Sequence, residues 1–324
     1  MQTLRVRTAG PKKDPASAPP GRAGFSLVEL LMVILIIAAL MALILPAVNS
    51  VRRTARNAAV KAEINRLETA VAAFQTRYGE VPPSFLVIPA RASASTVADW
   101  SPVVFQKSRR AIRKIWPQFD FDSNGGLPVA ATQNPTVLSG AECLVLCLAG
   151  VPNTSGVLDG FSKNPAVPFS PIGENRDGPF YEFGPGRFSD VDNDGFAEYL
   201  DELPGQRTPL LYVSSRGSGY APQAPGAPDA FDVFNNNDLS NWTDGFASGD
   251  KNLGGAYHQD AAAKVAWKKE SFQIISPGED GLYGDANASA TNFAGNGFYQ
   301  ADGSMPRGEA DNISNFSSGT TMGG

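Results

Sequence analysis

Histidine occurs once in the 324 residues, as His258, and cysteine twice, as Cys143 and Cys147. A single histidine excludes the zinc motifs that take two histidines from one helix face. The two cysteines stand four apart on an expected helix, a poor geometry for a disulfide, so both read as core residues even in an oxidising compartment. Neither G-x-S-x-G nor G-x-x-x-x-G-K-S/T occurs, and His258 lies in a polar, glycine-rich stretch that reads as surface. No catalytic residue is assigned, and the chain reads as a non-enzyme. An excess of positive charge is missing too, with 27 Lys and Arg against 32 Asp and Glu. Nucleic acid, which is bound through clustered cations, is therefore not an expected partner.

Charge is scarcest between Phe25 and Ala47, where Glu29 is the one ionisable group. At 1.5 Å per residue a helix of that length spans about 34 Å, enough to cross a bilayer. A buried carboxylate in such a helix costs about 2.5 kcal/mol or more at mid-bilayer and calls for a cationic partner. Upstream, residues 1–24 hold five cations (Arg5, Arg7, Lys12, Lys13, Arg22) against Asp14 and are rich in Pro, Gly and Ala. They read as an unstructured cytoplasmic tail. A cut after Gly24 removes that tail, moves the formal net charge from −5 to −9, and places a new α-amine on Phe25 one helical turn from Glu29. A secretory signal peptide has a shorter apolar core and an A-x-A site, neither of which is present.

The stretch Gly24-Phe25-Ser26-Leu27-Val28-Glu29 resembles the prepilin leader of type IV pilins and type II secretion pseudopilins. The resemblance implies cleavage by a prepilin peptidase between Gly24 and Phe25, N-methylation of Phe25, and a role in assembly for Glu29, the fifth mature residue. It also implies that Pro46 marks a helix kink. The implied fold is α+β and pilin-like: a leader at 1–24, a transmembrane helix at 25–47, its amphipathic periplasmic half at 48–79, and a loop-rich globular head at 80–324 with a small antiparallel sheet. Implied partners are other pilin or pseudopilin subunits and an inner-membrane assembly platform. The implied location is a single pass in the inner membrane of a Gram-negative-type bacterium with the body in the periplasm, then a filament in the periplasm or at the cell surface.

Past the membrane, apolar positions Val48, Val51, Ala55, Ala58, Ala62, Leu67, Val71, Phe74 and Tyr78 recur at threes and fours between polar Arg52, Arg53, Arg56, Lys61, Glu63, Arg66 and Glu68. Gly79 ends this helix, and Pro82 and Pro83 prevent a restart. A basic helix is expected over residues 102–116, its cations forming a solvated face. A second, buried helix is expected from Ser139 to Gly150, opened by the capping box of Ser139 and Glu142. Strands are expected at 208–215 and 271–276, the latter followed by a sharp turn, with a long loop or insertion at 217–256. The 33 glycines and 25 prolines agree with a loop-rich body.

Metal chemistry has one candidate loop, whose alternative is a solvated acidic turn. Asp190, Asp192, Asp194, Glu198 and Asp201 fall at positions 1, 3, 5, 9 and 12 of a calcium loop, with Gly195 at 6 and the Phe196 carbonyl at 7. Aspartate at position 12 resembles the dockerin loop more than an EF-hand. The similar run Asp120-Phe121-Asp122-Ser123-Asn124-Gly125 lacks an acid at its twelfth position and reads as a turn. A further resemblance joins residues 271–281 and 308–316 to the C-terminal β-region of the major pseudopilin, which implies Asp280 and Asp311 as a second pair of calcium ligands.

Three functional readings follow. The first is a structural subunit of a type II secretion pseudopilus; major pseudopilins are smaller than this chain. The second is a type IV pilus subunit serving adhesion, motility or DNA uptake, which the large body favours. The third is a membrane-tethered periplasmic binding protein or enzyme.

Overall fold

The structure, a computed structural model, describes residues 24–88, 103–127, 136–152, 157–173, 175–190, 195–215, 258–260, 265–281, 283 and 311–322. The expected leader, apart from Gly24, and the expected insertion at 217–256 lie outside these. The chain divides into two compact units, residues 1–52 and 53–324. Helix α1, Leu27–Tyr78, runs through both.

In the first unit every described residue is exposed. Leu, Ile, Met and Ala dominate α1 here and favour the helix, which contains a stretch long and apolar enough to cross a membrane. Pro46 lies inside the helix, where its ring nitrogen has no hydrogen to give the carbonyl four residues back.

In the second unit α1 buries Asn57, Val60, Glu63, Ile64, Leu67, Ala70, Val71 and Phe74. The expected stripe is right at Leu67, Val71 and Phe74. It is wrong nearer the membrane, where Val48, Val51, Ala55, Ala58 and Ala62 are exposed. Two seams with the same period compete, and the one carrying Val60 and Ile64 removes more apolar area from water than a row of alanines. The helix ends at Gly79, whose φ of +82° suits glycine and whose N–H bonds the Gln75 carbonyl at 2.7 Å.

The rest of this unit is built from short elements. Strand β1 (Leu86–Ile88) pairs antiparallel with β2 (Thr136–Leu138), and the basic helix α2 (Val103–Ile115) lies between them in sequence. Helix α3 (Gly140–Ala149) opens with the expected reciprocal box: Ser139 accepts from the Glu142 N–H, and the Glu142 carboxylate accepts from the Ser139 N–H. It carries Cys143 and Cys147 into the core as free thiols, and burial pushes the Cys147 thiol pKa up. Hairpins β3 (Phe161–Ser162) with β4 (Arg176–Asp177) and β5 (Phe188–Ser189) with β6 (Glu198–Tyr199) follow. A three-stranded antiparallel sheet has the order β11-β10-β7, from Ile313–Ser314, Phe272–Ser276 and Leu211–Ser214. His258 begins a further pair, β8 (His258–Asp260) with β9 (Val265–Ala266). This is an α+β pilin-like arrangement, a long apolar N-terminal helix followed by small antiparallel sheets.

Two charged residues expected on the wet side of α1 hold it to the strands. The Glu63 side chain is 3% exposed and receives both Arg187 terminal nitrogens, with the Tyr181 and Tyr199 hydroxyls donating at 3.3 and 3.2 Å. Arg187 also bonds the Leu200 carbonyl twice and lies 4.4 Å from the centre of the Tyr199 ring. Burial, then the nearby Glu63 charge, pushes the Tyr199 hydroxyl pKa up to about 12. Seven residues before Glu68, the Lys61 amine donates to the Ser314 and Ser317 carbonyls at 2.5 and 3.0 Å, and burial lowers its pKa.

Removing one member of a buried pair costs about 3–5 kcal/mol, whereas replacing both by apolar groups is often near neutral. Arg187→Met is therefore expected to destabilise the full chain by about that amount in denaturant unfolding in detergent, and Glu63→Leu with Arg187→Met to recover most of it. A single variant as stable as the wild type would show that the pair does not hold the helix.

Candidate functional site

Gly24, Phe25 and Ser26 precede the first turn of α1, and Phe25 is 82% exposed. The Ser26 hydroxyl accepts from the Val28 N–H at 3.3 Å, while the Ser26 N–H donates to the Glu29 carboxylate at 3.0 Å. The Ser26 carbonyl takes the first helical bond, from the Leu30 N–H at 3.2 Å. Ser26 is thus the N-cap and Glu29 reaches back from the third helical position, the capping-box arrangement. Glu29 therefore has a partner on its own chain. Serine followed by glutamate three residues on is the signal that identified α3, and it was equally present here. Phe25 stands directly before this cap, so a new amine on it would form beside the Glu29 carboxylate.

The calcium-loop candidates separate. Asp190 is exposed, and one of its carboxylate oxygens accepts from the Gly195 N–H at 3.3 Å. Gly195 has a φ of +90°, which suits glycine at the sharp sixth position. Asp192 and Asp194 lie outside the described residues. Phe196 is half-buried against the core, and Glu198 is buried in β6. Asp201 is also buried, and both its oxygens are engaged: one by the Leu203 N–H at 2.9 Å, the other by the Gln206 amide at 3.1 Å and the Ser276 hydroxyl. It ties β6 to the end of β10. Among the described residues no group of three or more His, Cys, Asp or Glu is placed to hold a metal ion.

Asp280 and Asp311, distant in sequence, are brought together. One Asp311 oxygen accepts from the Glu279 and Asp280 N–H groups at 2.7 and 3.1 Å, closing the turn after β10. Gly278 makes that approach possible, because a Cβ there would come within 2.6 Å of the Asp311 carbonyl. Glu279 in turn pairs with Arg53 of α1 at 3.0 Å. At 120–125 the chain makes the expected turn: Asp120 accepts from the Asp122 N–H and the Ser123 hydroxyl, and Asn124 and Gly125 take positive φ.

Residues 20–45 match the family model described as the prokaryotic N-terminal methylation motif. That motif points to type IV pilin-like proteins, and with them to processing by a prepilin peptidase, membrane anchoring and assembly with other pilin subunits. No curated protein matches the chain, and no solved structure does.

Burial raises the Asp201 carboxyl pKa, and the Ser276, Leu203 and Gln206 bonds with the Arg187 charge offset it only in part. With the folded pKa above the unfolded one, the folded state holds the proton more tightly. The group's contribution is then full below the unfolded pKa and is lost as pH rises through the folded value. As pH rises above the ordinary aspartate value of about 3.9 the wild type should lose more stability than Asp201→Asn, measured by unfolding the full chain in detergent. Parallel pH profiles would remove Asp201 from the account.

Proposed function

We propose that this chain is a structural subunit of a periplasmic pseudopilus-like filament of a type II secretion system. The observation that carries the subunit reading is Gly24-Phe25 standing at the capped head of an exposed apolar helix, with Glu29 in its first turn. Cleavage after Gly24 leaves an amine at Phe25 for N-methylation. In lipid, Glu29 is the acid that meets the Phe25 amine of a neighbouring subunit, and Pro46 sets the bend of the stem. The partners are other pilin or pseudopilin subunits, the prepilin peptidase and an inner-membrane platform, with the body in the periplasm. The secretion subtype rests on the resemblance of residues 271–281 and 308–316 to the major pseudopilin, to which the closure of the β10 turn by Asp311 adds weight. A type IV pilus subunit is the second reading, favoured by the long body after Gly79.

We also propose calcium as a ligand of the loop that starts at Asp190. The turn at Gly195 suits it; Asp201, with both oxygens engaged, does not suit position 12 in this conformation. The donors proposed are therefore Asp190, Asp192, Asp194, the Phe196 carbonyl and Glu198, with Asp280 and Asp311 as the other place for an ion.

The mature chain is expected to begin at N-methylated Phe25 in mass spectrometry, and Gly24→Val to keep the leader. Glu29→Leu should insert into the membrane and yield no filament, since the neighbour's amine loses its counter-charge. A mature start elsewhere sinks the subunit reading, and normal filaments from Glu29→Leu sink the role given to that residue.

Calcium at millimolar levels should raise the melting temperature of the full chain in detergent relative to chelator. Asp192→Ala with Asp194→Ala should abolish the rise. No response in the wild type ends the calcium proposal; a response kept by the double variant moves the ion to Asp280 and Asp311.

A further inference from the structure

Helix α2 buries Ser108, Ile112 and Ile115 and turns Arg110, Arg113 and Lys114 outward. Lys114 pairs with Glu80 at 3.1 Å. Arg109 and Arg113, one turn apart, both lie against the face of Phe121, their guanidinium carbons 4.8 and 5.2 Å from the ring centre. Among the described residues none of Arg109, Arg110 and Arg113 makes an ion pair. The Arg109 Nε is shielded from solvent without a hydrogen-bond acceptor.

An aromatic face attracts a guanidinium but leaves its in-plane N–H donors unused. Like charges at i and i+4 repel, and a shielded donor without an acceptor costs about 1–3 kcal/mol. One oxyanion bridging the outward N–H groups of the two forks relieves the repulsion and uses the idle donors. Because the ring already fixes the two side chains, little rotamer freedom is lost when the anion arrives. The rest of the chain says where such an anion comes from. Without residues 1–24 the subunit carries −9, so copies placed side by side repel unless cations at their contact meet acids of the neighbour.

We propose that the Arg109–Arg110–Arg113 flank of α2 is a subunit contact that receives an exposed carboxylate from a second copy of this chain. The inference rests on the filament-subunit reading. It accounts for three cations lying on one flank of a helix in an acidic chain, two of them held on a ring and none ion-paired among the described residues.

The test is self-association of the full mature chain in detergent, followed by sedimentation, for the wild type and for Arg110→Glu with Arg113→Glu. Both substituted positions are exposed, and thermal unfolding checks that the fold survives. The wild type should associate at about 50 mM NaCl and weaken about tenfold or more by about 500 mM. The variant should associate at least about tenfold more weakly at low salt and respond little to added salt. Equal association of the two overturns the proposal. So does a wild type that stays monomeric at low salt yet is stabilised against heat by inorganic phosphate when the variant is not, since the flank is then a site for a free anion. In cells, wild-type filaments with undiminished yield from the variant overturn this contact and leave the subunit reading standing. A wild-type chain not cut at Phe25 counts against the subunit reading alone.

Discussion

The second unit depends on a carboxylate that has been taken out of water. Glu63 lies one turn from Leu67 on the helix, and its oxygens collect the Arg187 fork and two tyrosine hydroxyls. Isolated, such a charge would drive the helix away from the core, because the desolvation cost of one buried ion is several kcal/mol. Surrounded by four donors, it does the opposite. Among the described residues from Tyr181 to Leu200 the strands are two residues long, and their polar groups are arranged around that one acid. Arg187 passes the constraint on to β6 through the Leu200 carbonyl, so the loop between β5 and β6 starts and ends on groups fixed by the helix.

The same logic recurs with the sign reversed. Lys61 gives its protons to main-chain carbonyls of the β11 region, and Arg176, with its side chain 5% exposed, gives its own to the carbonyls of Asp159, Gly160 and Ser170. Loop-rich folds leave many carbonyls outside helices and sheets, and each one buried needs a donor. A few long cationic side chains reach several such carbonyls at once. The aromatic side chains do the apolar share of this work: Tyr78, Trp116, Phe161 and Phe169 form a chain of ring contacts between the end of α1 and the β3 hairpin.

Local signals in the sequence were legible where the interaction is local. The membrane run, the stop at Gly79, the Ser139–Glu142 box, the two buried cysteines and the turn at 120–125 all depend on residues within a few positions of one another. The burial of Glu63 and the half-burial of Lys61 were not legible, since their partners lie 124 and 253 residues away and no spacing rule connects them. The lower half of the helix seam failed for a related reason: Ala55, Ala58 and Ala62 fit the period as well as Val60 and Ile64, and only the packed partner decides between them. Between Asp190 and Asp201 the spacing of acids carries no information on distant partners, and Asp201 is committed to Ser276 on a strand that begins 71 residues later.

The Lys61 contact also sets an order of events. Its acceptors follow it by 253 and 256 residues, and the strand they flank completes one edge of the β7–β10 sheet. A chain crossing a membrane from its N-terminal end delivers those acceptors long after the helix that needs them. Until residue 317 has emerged, the amine of Lys61 and the edge of β10 stay wet, and the helix face beneath them is open. Closure of this edge is therefore a late step, and contacts of such sequence separation make it a slow one.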